Sequence, residues 1–192
     1  MLPLSLFSAP QPQQEDPWAM GLRAMGEAAT RLEGQLETFQ AGRVGIVVRP
    51  DSAQSPESAR AQLEELLRST SATSWLRFDV ADDDMEMQWL LIRGDALKGL
   101  ARDAEVVCRV LEEASLGPRI IAAVFPFTWQ QTRQYWIFQR RLTRYTPFAP
   151  VGPPGEQRRD HALESRMEKA LRKQLPTEKK AKEWYPIWGM PL

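Results

Sequence analysis

Residues 95–115 hold one apolar face for about five helical turns, with Leu97, Leu100, Ala101, Ala104, Val107, Cys108, Leu111 and Ala114 recurring at spacings of three and four. A stripe that long has to be buried against something broad. The apolar, β-branched stretches on either side supply the partner surface. Before it lie residues 43–49, 75–80 and 85–93; after it come 120–127 and 135–140. Asp95 reads as the helix N-cap and Gly117-Pro118 as its stop. A second helix opens at Ser55-Pro56, runs to about residue 69 and turns Ala59, Leu63, Leu66 and Leu67 to one side. From residue 43 the order is βαββαβ plus one strand. That predicts an α+β fold: an antiparallel sheet of about five strands in ferredoxin-like order with helices on one face. A YbjN-like, secretion-chaperone-like grouping of helices around a single sheet is the alternative.

The flanks complete the expected organisation. Residues 1–17 form a leader rich in Pro and Gln, predicted to be disordered. An N-terminal helix is expected from Trp18 to about Phe39, weakened by Gly21, Gly26 and Gly34. The α+β core then spans 18–141. Residues 142–192 are a helical C-terminal extension packed on it, ending in Trp184-Tyr185-Pro186-Ile187-Trp188.

Charge is uneven along a chain whose formal total is zero. From residue 133 onward thirteen Lys/Arg face six acids, a net of +7, which leaves twelve against nineteen, or −7, in residues 1–132. The basic tail suits an acidic surface, and the body is one. No overall basic excess points to nucleic acid. One cysteine, Cys108, excludes an intramolecular disulfide and fits a reducing cytoplasm. It lies on the apolar stripe and reads as a packed small hydrophobe. No apolar run approaches the length of a membrane span.

No phosphate-binding, dinucleotide-binding, metalloprotease or nucleophile-elbow motif occurs. Asp82, Asp83 and Asp84 are adjacent, so they diverge, and read as a solvated hairpin tip with no metal role. His161, the single histidine, stands beside Asp160 without a nucleophile. Asp160 reads as the N-cap of a helix over 160–174 that buries Leu163, Met167, Ala170 and Leu171. That helix shows Arg166, Lys169, Arg172 and Lys173 outside, which also suits an anionic membrane surface. Arg158 and Arg159 precede it, placed for an anion or for Glu164.

Tyr145-Thr146-Pro147-Phe148-Ala149-Pro150, Gln157-Arg158-Arg159-Asp160-His161-Ala162-Leu163-Glu164, Leu175-Pro176 and Trp184-Tyr185-Pro186-Ile187-Trp188 together resemble the PspAB family of PspA-associated proteins. His161 stands where the family's pattern has asparagine, and the glycine-rich basic start of the family is missing. The resemblance implies a non-enzymatic, cofactor-free accessory of an envelope-stress system. Its partner would be PspA, a coiled-coil, ESCRT-III-like membrane-remodelling protein, met in the cytoplasm or at the inner face of the plasma membrane. On this reading Arg158, Arg159, Asp160, His161 and Glu164 set polar register, and Tyr145, Phe148, Trp184 and Trp188 anchor the partner.

Overall fold

The computed structural model describes residues 16–35, 39–40, 42–129, 131–153 and 155–192. Most of the expected leader lies outside them. Its last two residues open helix α1 (Pro17–Glu27), where the Asp16 carboxylate accepts from Trp18 N at 3.1 Å and proline occupies the first helical position. The helix is shorter than expected, and a π-helical turn, Arg31–Gln35, follows. The remaining elements are β1 (Phe39–Gln40), β2 (Arg43–Val48), α2 (Pro56–Ser69), β3 (Phe78–Asp82), β4 (Gln88–Arg93) and α3 (Leu97–Glu113). After these come β5 (Ile120–Trp129), β6 (Thr132–Gln139), β7 (Arg144–Phe148), β8 (Pro150–Val151), β9 (Arg158–Arg159) and α4 (His161–Leu171).

The fold is mixed α+β, and its main sheet runs β3-β4-β2-β5-β6-β7 with every neighbouring pair antiparallel. Short β1 also pairs with β5, while β8 and β9 form a separate ribbon. The sheet is wider than the five strands expected. Residues 144–148, assigned to the extension, are its sixth strand, so the C-terminal region is built into the sheet as well as laid on it. Beyond β7, Tyr145 N donates to Pro176 O and Glu178 N to Tyr145 O, each at 2.9 Å, which covers that edge.

Alternation along the strands separates two cores. Val44, Ile46 and Val48 of β2, Leu90 and Ile92 of β4, and Phe125 and Phe127 of β5 face the helices, together with Trp136 and Phe138 of β6. α1, α2, α3 and α4 all pack into this side. Gly21 permits the close approach there, because a Cβ at that position would lie 1.9 Å from the Phe138 ring. Val47, Trp89, Leu91, Ala122, Val124, Tyr135, Ile137 and Phe148 face the other way. Among the described residues no helix covers this second face. The end of the chain does, with Ile187, Trp188, Met190 and Leu192 packed across it. Leu192 is only 5% exposed, and Gly45 makes room beneath it: a Cβ there would meet the Trp89 ring at 2.8 Å and Leu192 Cδ1 at 3.2 Å.

Two local expectations need correction. α3 has Ala96 at its N-cap with no side-chain bond, and Asp95 instead reaches Arg77 at 3.6 Å in solvent. The aspartate tip is more than a solvated turn. Asp83 Oδ1 accepts from Met85 N and Met87 N at 2.8 and 2.9 Å, and its Oδ2 takes the Trp89 indole N–H at 2.8 Å. One of the three carboxylates thus ties the hairpin to the second core.

Candidate functional site

The residues expected to form a contact face converge on one node, which is largely interior. Glu164 projects from the first turn of α4, and its side chain is 0% exposed. Its Oε1 accepts from Ala149 N at 3.0 Å and from Arg159 Nε at 2.7 Å. Arg159, mostly buried, also donates through Nη1 to Trp184 O at 2.7 Å and through Nη2 to Pro147 O at 3.5 Å, and its guanidinium lies 5.5 Å from the Phe148 ring centre. A carboxylate and a guanidinium removed from water hold only when such bonds satisfy them. Here they join the end of β7, β9, α4 and the C-terminal segment. Asp160 caps α4 as expected, its Oδ1 accepting from Leu163 N at 2.8 Å.

Three of the four expected anchor rings are buried. Tyr145 is fully buried on the helical side; its hydroxyl donates to Gly21 O at 3.0 Å and its ring stacks on Phe138 at 4.5 Å between centroids. Phe148 is buried on the second face, with Tyr135 at 5.9 Å and Trp188 edge-on at 4.9 Å. Trp184 is 6% exposed and its indole N–H donates to Glu178 O at 2.7 Å. As surface anchors, Tyr145, Phe148 and Trp184 are therefore corrected: they seal the chain's own interior. Trp188 is half-buried as part of the covering segment. Of the polar residues, Arg158 is exposed and paired with Glu156 at 2.8 Å. His161 is 75% exposed, with Nδ1 3.2 Å from Glu164 Oε2.

Open surface remains beside the covering segment. Residues 185–187 form one wall of a groove of about 480 Å³ whose lining includes Arg49, Ile121, Ala122, Ile137 and Arg141. A second groove of about 510 Å³ lies on the other side, between Trp188, Met190 and the loop around Gly152, with Asp84 and Arg133 among its lining residues.

A family model described as PspA associated protein B, PspAB, matches residues 5–192. The chain belongs to the PspAB family. Comparisons with curated proteins and with solved structures each found no match. In this PspAB-family chain, the stretches that carried the resemblance build the buried node and the segment over the second face. The first groove uses Arg49, Ile121 and Arg141, which sequence reasoning passed over, beside Tyr185 of the C-terminal aromatic run. A usable signal existed in β2 and β5, which are apolar on both sides and so required a cover on each.

Cys108 is buried, and desolvation pushes its thiol up to about 12, so it is inert at neutral pH. Among the described residues no group of three or more His, Cys, Asp or Glu is placed to hold a metal ion. Among them, too, no helix is long and apolar enough to cross a membrane.

Proposed function

We propose that this chain is a non-enzymatic accessory protein that binds a PspA-type, coiled-coil, ESCRT-III-like membrane-remodelling protein in the envelope-stress, or phage-shock, response. It works in the cytoplasm, at the inner face of the plasma membrane when its partner is there. The observation that carries this reading is the match of residues 5–192 to a family described by its association with PspA. The placement of the lone histidine supports the absence of catalysis. Its ring stands in solvent at the start of α4, and the carboxylate it meets is already occupied by Arg159 and Ala149 N. An orienting acid and a histidine without a reacting group beside them define no active site.

The alternative, direct binding to anionic membrane through α4, has less support. Leu163, Met167 and Leu171 are buried in the helical-side core, which leaves the helix no apolar stripe to insert. Calorimetric titration of the full chain with the PspA-type protein of the same organism tests the proposal. Saturable binding with Kd of about 10 µM or tighter is expected, and no heat at about 100 µM of each protein would refute it. Flotation with anionic vesicles in the absence of that protein is expected to leave the chain at the bottom of the gradient.

A further inference from the structure

The groove beside residues 185–187 has a composition that selects a particular kind of occupant. Its floor is apolar, with Ala122 and Ile137 of the second face. Tyr185, Pro186 and Ile187 line it from the covering segment, and Pro118 and Ile121 from the sheet end. Arg49, Arg140 and Arg141 also line it, and no Asp or Glu does, in a chain whose total charge is zero. Arg140 is committed to Glu112. Arg141 is held at the mouth by Glu183 at 3.3 Å and by the Tyr185 ring, 5.5 Å from its guanidinium. The guanidinium of Arg49 is exposed and has no partner among the described residues. Tyr185 is itself 53% exposed, a large ring left at the rim.

We infer that this groove is the docking site for a protein segment bearing apolar side chains flanked by carboxylates. The apolar groups would enter between residues 185–187 and Ile121, and the carboxylates would pair with Arg49 and Arg141. The volume lies within the range of sites that enclose small groups. A guanidinium at the rim supplies orientation and bidentate pairing, and the buried floor supplies affinity. The cationic groups are set among apolar side chains of the sheet and of the covering segment, which suits a peptide that carries both kinds of side chain. The inference rests on the partner-binding reading and assigns that reading a surface.

Two titrations of the isotope-labelled full chain separate the two claims. In the first the probe is the blocked peptide acetyl-Leu-Glu-Ile-Glu-Leu-amide, followed by amide chemical shifts. Shifts are expected at residues 120–122, 137–141 and 185–187. The double variant Arg49→Glu/Arg141→Glu is expected to weaken binding about tenfold or more, whereas the charge-matched Arg77→Glu/Arg109→Glu stays within about twofold. Ile121→Trp, which fills the groove without changing charge, is expected to act as the first double variant does. Absent shifts, shifts confined to other surfaces, or groove variants that remain folded by circular dichroism and bind as the wild type does would each overturn the site. In the second titration the PspA-type protein replaces the peptide. If it binds wild type and groove variants equally, the groove is not its site. If it does not bind wild type while the peptide does, the functional reading falls and the groove stands. Arginine-dependent flotation with phosphatidylglycerol vesicles, together with absent peptide shifts, would also overturn the docking site.

Discussion

The two faces of the sheet are closed by different means. Helices α1, α2, α3 and α4 cover one face, each satisfying its own backbone and presenting an apolar stripe. A short irregular segment covers the other, held by individual side chains: Leu192 over Gly45, Trp188 against Phe148, and Trp184 O bonded to Arg159. The helical cover leaves little of the sheet open, whereas the segment leaves a groove along each flank. A cover one chain wide protects a sheet while keeping apolar surface within reach of another molecule.

The residue that joins the two arrangements should be the most costly to lose. Glu164→Ala strands a mostly buried guanidinium that also holds the covering segment, and a loss of about 3–5 kcal/mol in urea unfolding is expected. The contrast between faces comes next. Leu100→Ala, in the helical-side core, is expected to cost about 2–5 kcal/mol, against about 1 kcal/mol for half-buried Ile187→Ala. Equal costs would show that the covering segment is as integral as the helices. Tyr145→Phe removes one buried hydrogen bond and keeps the ring, so about 1 kcal/mol is expected.

A further effect is expected in alkali. Burial raises the Tyr145 phenol well above 10.0 and the Cys108 thiol to about 12, both on the helical side. Both groups ionise more readily unfolded than folded. Their contribution is therefore complete below the unfolded values, about pH 8.5 for the thiol and about pH 10 for the phenol. It is lost as pH climbs from there through the folded values. A urea midpoint flat from about pH 7 to 8 and falling from about pH 9 to 11 would bear this out.

The same contrast explains what the sequence made readable. α3 was legible because eight apolar positions repeat with the helical period, and β2 and β5 because their apolar runs are continuous. The cover on the second face has no period, so its aromatic residues looked like contact anchors. Rings and arginines are common to interfaces and to well-packed interiors, and composition does not distinguish them. β7 was assigned to the C-terminal extension, and its run holds Pro147, a residue that central strands exclude. At that position, beside the sheet edge, a missing N–H is tolerated. The mutual burial of Arg159 and Glu164 was invisible, since spacing along the chain gives no measure of depth. The groove was hidden for a different reason: Arg49, Ile121 and Tyr185 meet only once the strand order is set.

The covering segment follows every strand it covers in the order of synthesis. Before residues 185–192 dock, an otherwise assembled sheet shows Val47, Trp89, Val124 and Ile137 to solvent, and a chain caught at that stage is prone to stick to its own kind.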